Sequence, residues 1–316
     1  MGSTAPNPMV GCVIVFENTI IAEGYTSPYG GAHAEVNAIQ SVRDPKVLEK
    51  STLYVTLEPC AHFGKTPPCS DFIIAHKIPQ VVIGCLDEHD KVCGKGISKL
   101  KAAGCEVIVG VLETECKIHH KRFFTYHSKK RPYIILKWAE SKDGFIAPLI
   151  KSEIKPVWIS SLRSRQLVHQ WRAEEQAILV GANTVAQDNP SLTTREVEGP
   201  NPIRIIIDLK NTLPGSSQVF NSEAKTIKLT KNEIDPNKPL AAQVSKTLYL
   251  NKITSVIVEG GQKTLQAFIN EGLWDEARIF SSETYLKEGI KKPQLKSIQV
   301  KETLIDSDSL KIILND

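Results

Sequence analysis

Apolar runs and helical stripes alternate along the first part of the chain. Residues 11–16 and 20–24 are short apolar runs joined by Glu17-Asn18, which predicts a β-hairpin. Residues 34–42 carry apolar side chains at helical spacing, and 52–56 read as a buried strand. Residues 70–77 read as a helix with a polar start. A strand over 81–85, a helix over 96–103, a strand over 106–109 and a helix over 112–124 complete the series. Strands alternating with single helices predict a three-layer α/β domain around one sheet.

Lys129-Lys130-Arg131-Pro132 interrupts the pattern with three like charges and a helix breaker. It divides the chain into expected domains of residues 1–128 and 129–316. A second alternating series follows: a strand over 133–138, a helix over 162–174, and strands over 177–180, 203–208 and 255–258. A helix over 264–271 and a strand near 277–280 come next. Residues 213–252 are polar, contain proline and show no clear period, so no element is assigned there.

Composition narrows the function classes. A chain of 316 residues holds two domains at roughly 100–200 residues each. No apolar run approaches the roughly 20 residues that span a bilayer, and no basic segment leads into an apolar one. The reading is therefore a cytoplasmic protein without a membrane partner. The net charge of +4 suits an anionic small molecule and lacks the basic blocks of a nucleic-acid binder. All seven cysteines fall within the first 116 residues and all four tryptophans after them, as expected for two units of different chemistry. An odd cysteine count in a reducing setting favours metal binding or core packing over disulfides.

The strongest chemical signal is His33-Ala34-Glu35, followed by Pro59-Cys60 and then Cys69 after eight intervening residues. One imidazole and two thiolates suit zinc, leaving a fourth tetrahedral position for water. Zinc lowers the pKa of a bound water to about 7. Glu35, two residues beyond a ligand, can sit beside that position and carry a proton without binding the metal. His-x-Glu with a later Pro-Cys and a second cysteine is the zinc-deaminase pattern, whose cysteines usually lie two residues apart. The other five cysteines read as packing residues. His62, Lys65 and Thr66, between the two cysteines, offer polar groups to a ribose phosphate or form a solvated loop.

The second half carries softer signals. No GxGxxG follows a strand; Gly94-Lys95-Gly96 is only a fragment of it. The run 255–258 leads into Glu259-Gly260-Gly261 and then a helix, where backbone N–H groups could hold a diphosphate. A glycine pair after a strand also serves as a bare turn.

Residues 4–15 (Thr-Ala-Pro-Asn-Pro-Met-Val-Gly-Cys-Val-Ile-Val), His33-Ala34-Glu35 and the run from Leu57 to Cys69 resemble the RibD family of bifunctional riboflavin biosynthesis enzymes. The resemblance implies an α/β protein with an N-terminal cytidine-deaminase-like domain and a C-terminal dihydrofolate-reductase-like domain. It implies zinc on His33, Cys60 and Cys69, with Glu35 as the catalytic proton carrier and Asn7 as a pyrimidine contact. It implies NADPH for the second domain, held by Ala139, Trp158, Thr184, Asp188, Gly261, Gln262, Lys263, Thr264, Leu265, Gln266 and Ala267. Substrate contacts there would be Arg172, reaching the substrate phosphate, Glu259, holding its polar edge, and Leu192 and Arg195.

The implied chemistry is hydrolytic deamination of 2,5-diamino-6-ribosylamino-4(3H)-pyrimidinone 5′-phosphate. NADPH-dependent reduction of 5-amino-6-(5-phosphoribosylamino)uracil to the ribityl product follows. The partners are phosphorylated ribosylaminopyrimidines, and the expected assembly is a homo-oligomer, dimer or tetramer. A second reading keeps the deaminase and makes the C-terminal domain a non-catalytic scaffold or dimerisation module; a third makes the zinc structural and the protein a binding module or RNA-editing partner. The chain departs from the family pattern at Pro156, around residues 148–155, at residues 87–90 and at Leu209.

Overall fold

A computed structural model describes residues 4–63, 67–87, 94–296 and 300–315. They form two compact units that part between Lys130 and Arg131. The first unit has a five-stranded sheet built from β1 (Gly11–Phe16), β2 (Thr19–Tyr25), β3 (Thr52–Leu57), β4 (Gln80–Cys85) and β5 (Glu106–Val109). Its strand order is β2-β1-β3-β4-β5. β1 runs antiparallel to both its neighbours, and β3, β4 and β5 are parallel. Glu17 and Asn18 both take left-handed φ values, 48° and 59°, which suits the tight turn of a right-twisted hairpin.

Three helices of this unit, α1 (Ala34–Ser41), α2 (Cys69–Ala75) and α3 (Lys95–Ala102), bury Ala38, Ile73 and Leu100 against Ile14, Leu53 and Ile83. α1 lies so close to β2 that a Cβ at Gly24 would fall 2.3 Å from the Ala34 carbonyl oxygen. Only glycine permits that approach, which sets the start of α1 over the sheet. On the other face Cys116 of α4 (Glu113–His119) packs against Gly84, and α5 (Lys121–Lys129) follows. The helix expected over 112–124 is thus two segments jointed at His120. That side chain is drawn inside to Thr56 Oγ1 at 3.1 Å.

The second unit holds β6 (Tyr133–Glu140), β7 (Phe145–Ala147), α6 (Leu162–Glu174), β8 (Ala177–Gly181), α7 (Ala182–Asp188), β9 (Ile203–Ile207) and β10 (Thr226–Leu229). α8 (Leu240–Leu250), β11 (Ser255–Val258), α9 (Gln262–Asn270), β12 (Glu276–Ser281), β13 (Ile290–Lys291), β14 (Val300–Ile305) and β15 (Asp308–Leu314) follow. Eight strands form one sheet in the order β10-β9-β8-β11-β6-β12-β15-β14, while β13 and β7 pair separately. The run from β10 to β12 is parallel throughout. Parallel strands covered on both faces need apolar side chains on both faces, and all of β11 is buried. Leu265 and Phe268 of α9 and Val244 of α8 pack on one side. Val168 and Trp171 of α6, with Val185 of α7, pack on the other.

The 213–252 stretch contains β10 and α8. β10 is a four-residue edge strand, and α8 packs Ala241, Val244 and Leu248 at helical spacing diluted by polar neighbours.

Arg131 opens this unit. Its guanidinium makes a two-pronged pair with buried Asp275, at 2.7 Å for Nη2–Oδ1, and Asp275 Oδ2 also accepts the Ile134 N–H at 2.8 Å. The pair ties the starts of β6 and β12. Removing one member of a buried, hydrogen-bonded pair costs about 3–5 kcal/mol. Asp275→Ala should lower the urea-unfolding stability by that amount, followed by tryptophan fluorescence, since all four tryptophans lie in this unit. A loss below about 1 kcal/mol would place the pair with weak surface ion pairs instead.

Candidate functional site

In the first unit three chain turns converge. His33 is the N-cap of α1, Cys60 follows the end of β3, and Cys69 is the first residue of α2. The His33, Cys60 and Cys69 donor atoms all lie within 4.8 Å of one another. His33 Nδ1 is 3.2 Å from Cys69 Sγ and 3.7 Å from Cys60 Sγ. Among the described residues this is the one His/Cys/Asp/Glu group with metal-binding geometry, and it supplies three donors. That set fits tetrahedral zinc with one position left open.

The supports are local. The Cys69 N–H donates to Cys60 Sγ at 3.3 Å, and the Ser70 N–H and hydroxyl both donate to the Cys60 carbonyl. Glu58 fixes the other side of the turn. Its Oε1 accepts the Gly96 and Ile97 N–H groups at 3.0 and 3.3 Å, and its Oε2 accepts that of Gly94 at 3.0 Å. The carboxylate thereby satisfies unpaired donors at the start of α3. A Cβ at Gly96 would fall 2.0 Å from the Pro59 carbonyl oxygen, so the helix start fits there only as glycine.

Electrostatics distinguish the four side chains. A hydrogen bond from the Cys69 thiol holds Cys60 down at about 4. Cys69 is raised, first by that shared bond and then by burial. The hydrogen bond with Cys60 raises His33. Burial pushes Glu35 up to about 7, a value suited to exchanging a proton near neutrality. Glu35 is only 3% exposed in the first turn of α1.

Asn7 sits in a turn closed by its own N–H to the Thr4 carbonyl. His119 of α4 holds the following segment through the Met9 carbonyl at 2.6 Å. His62 is exposed, whereas Lys65 and Thr66 lie outside the described residues, as do positions 88–90 of the departing run.

In the second unit the expected residues gather at the carboxyl ends of parallel strands, where open α/β sheets bind ligands. β8 ends at Gly181 and β11 leads into Glu259-Gly260-Gly261. Gly261 caps α9 with a left-handed φ of 68° and no side-chain cap. The Leu265 N–H donates to the Gly261 carbonyl at 3.1 Å, so the preceding Gln262, Lys263 and Thr264 amides form the donor-rich first turn. Thr184 Oγ1 lies 3.4 Å from where a Gly261 Cβ would stand. These features fit a dinucleotide diphosphate. Leu265 and Leu192 have core side chains, leaving only their main chain to meet a ligand. Gln266 and Ala267 lie in the second turn, with Gln266 bonded to Asn270 and Gln294.

Ala139 is half-buried on β6. Trp158 is 55% exposed, with the Arg165 guanidinium 4.6 Å over its ring, in a cleft that also includes Ser282 beyond β12. Asp188 is paired with Lys151, which comes from the departing 148–155 segment.

Arg172 and Glu259, each expected to meet substrate, meet each other: Nη2–Oε2 is 2.7 Å and Nε–Oε1 3.3 Å. Burial would raise Glu259, but the Arg172 and Lys137 charges outweigh it and hold the carboxyl at about 2. Arg195 is exposed and bonded through Nη1 to Ser191 Oγ. Sequence reasoning missed Lys137, His169 and Glu58. Glu58 stands directly before Pro59-Cys60, which is a usable signal. Lys137 and His169 carry none until the fold brings them to Glu259.

Comparison with known proteins settles the family. Residues 1–85 match the "cytidine and deoxycytidylate deaminase zinc-binding region", and residues 132–286 match the "RibD C-terminal domain". A riboflavin biosynthesis protein RibD from Aquifex aeolicus is 41% identical, covering 96% of this chain and 88% of that one. The chain belongs to the RibD family. The structure of a diaminohydroxyphosphoribosylaminopyrimidine deaminase/5-amino-6-(5-phosphoribosylamino)uracil reductase from Thermotoga maritima superposes with a TM-score of 0.88 at 39% identity, covering 100% of this chain and 94% of that one. An Acinetobacter baumannii RibD structure gives 0.87 at 31% identity, covering 99% and 94%.

This RibD chain is therefore a bifunctional enzyme of riboflavin biosynthesis, with a cytidine-deaminase-like first unit and a dihydrofolate-reductase-like second unit. Its deaminase unit is a zinc-binding one. Among the described residues, no helix is long and apolar enough to cross a membrane.

The donor set predicts about one zinc per chain, measured by atomic emission on the purified protein. Cys69→Ser should reduce it to a small fraction while the tryptophan fluorescence of the second unit stays unchanged. Full zinc retention in that variant would show that the metal is held elsewhere.

Proposed function

We propose that residues 1–128 deaminate 2,5-diamino-6-ribosylamino-4(3H)-pyrimidinone 5′-phosphate at the His33, Cys60 and Cys69 centre. We further propose that residues 129–316 reduce the deaminated product with NADPH. The observation that carries the first half is the three-donor group with Glu35 buried beside it. Zinc, when bound there, supplies Lewis acidity and an activated water. His33 Nδ1 and the two sulfurs hold it, and Cys60 is already inclined to the thiolate it needs. Glu35 takes one proton from the water and gives it to the pyrimidine ring nitrogen, then moves the proton of the added hydroxyl to the amine, which departs as ammonia. Its burial keeps it able both to accept and to release that proton near pH 7. Asn7, in its turn, contacts the pyrimidine edge.

NADPH, when bound in the second unit, would supply a hydride to C1′ of the opened ribose, the adjoining nitrogen taking a proton from solvent. The first-turn amides of α9, from Gln262 to Thr264, hold its diphosphate, and Thr184 lies against the same turn. Trp158, Ala139 and Asp188 complete the cofactor contacts. Arg195 takes the substrate phosphate through its planar fork. Arg172 holds Glu259 in its ionised form, and Glu259 accepts from the polar edge of the pyrimidine. Leu192 and the later positions of α9 contribute packing or main-chain contact. The enzyme works in the cytoplasm as a homo-oligomer.

Glu35→Gln keeps the shape of the side chain and removes its proton exchange. Ammonia release should fall by about 10²–10⁴-fold, with zinc content unchanged. NADPH oxidation on the pre-deaminated substrate should continue at the parent rate. Ammonia release within about twofold of parent would remove Glu35 from the chemistry.

A further inference from the structure

Arg204 on β9 is fully buried and hydrogen-bonds no carboxylate. Its Nη1 donates to the Ser191 and Gln218 carbonyls, each at 3.2 Å, and to Asn221 Oδ1 at 2.9 Å. Its Nη2 donates to the Asn221 carbonyl at 2.6 Å and to that of Ala224, and its Nε to Thr226 Oγ1 at 2.9 Å. A cation buried among neutral acceptors is costly to bury unless the acceptors are fixed around it. The guanidinium therefore clamps the segments it touches.

One of those segments leads to Arg195. The Ser191 carbonyl is held by Arg204, and the Ser191 hydroxyl accepts Arg195 Nη1 and bonds Thr193 Oγ1 at 3.0 Å. Further along, the Thr193 carbonyl takes Arg172 Nη1 at 3.4 Å, and the Arg195 N–H donates to His169 Nδ1 at 3.1 Å. Burial and the charges of Arg172 and Arg195 hold His169 down at about 4, so it stays a neutral acceptor. The arm that presents Arg195 is thus fixed at its backbone from three sides. The exposed guanidinium itself rests on the one hydroxyl of Ser191.

We infer that Arg204 is a positioning residue for phosphate recognition, acting through Ser191 to preorganise Arg195. This rests on the reading of Arg195 as the substrate-phosphate contact. Preorganisation lowers the ordering cost of binding and leaves the hydride step alone.

The test is steady-state reduction of 5-amino-6-(5-phosphoribosylamino)uracil by the full-length protein. Arg204→Lys, whose single ammonium cannot reach all the acceptors, should raise the substrate KM at least about fivefold. The kcat and the KM for NADPH should stay within about twofold. Ser191→Ala, which removes the hydroxyl that Arg195 rests on, should do the same, and Arg204→Gln takes the place of Arg204→Lys if the lysine variant does not fold. Neither variant should change the rate constant kcat/KM for the dephosphorylated substrate, which a merely loosened fold would lower. In an Arg195→Ala background both effects should vanish. If Arg195→Ala raises KM but Ser191→Ala and the folded Arg204 variant do not, or their effects persist without Arg195, the inference is overturned. If Arg195→Ala itself leaves KM unchanged, the phosphate reading fails first and the inference falls with it.

Discussion

Three donor side chains separated by as many as 36 positions meet because a five-stranded sheet brings one strand end and two helix starts to one place. His33, Cys60 and Cys69 occupy those positions, and each is fixed by backbone rather than by side-chain choice alone. Gly24 lets α1 descend on the sheet, and Glu58 binds the strand end to α3. The amide of Cys69 reaches Cys60 Sγ directly. The first unit's chemistry depends on this convergence, and Glu35 works only because it shares the same helix start.

The second unit solves a different problem with a related device. Its parallel strands end together, so the chain must turn into helices at one edge, and the unpaired amides of α9 collect there. Charge is balanced locally: Arg172 and Lys137 keep Glu259 ionised despite its burial, while His169 stays neutral between two arginines. Of the positions where ligands are expected only Ala139 lies on a strand; the others lie on helices α6, α7 and α9 or on the segments that join elements. The 191–195 arm is held by Arg204 of β9 together with Arg172 and His169 of α6.

The elements legible in the sequence were those whose own residues carry the pattern. The Glu17-Asn18 hairpin and the fully buried β11 are examples, and so is the helix start at His33. The zinc centre was legible because a metal restricts donor types and spacing so narrowly. Other features depend on neighbours that sequence order hides. α8 shows its stripe only against β9 and β11, and β14 is an exposed edge strand recognisable only by its pairing with β15. The Arg172–Glu259 pair joins residues 87 positions apart, so each looked like a separate ligand contact. Lys137 and His169 gave no sign of their surroundings because an isolated lysine or histidine has none to give. Leu192 and Leu265 carried no sign in the sequence that their side chains fill the core, which leaves their main chain for the expected contacts.

The most direct test of the account is zinc-edge X-ray absorption on the purified full-length protein. The account predicts two sulfur ligands near 2.3 Å together with nitrogen or oxygen ligands near 2.0–2.1 Å, the fourth exchangeable with solvent. A shell of three or four sulfurs, or a fourth ligand that never exchanges, would contradict an open catalytic centre at His33, Cys60 and Cys69.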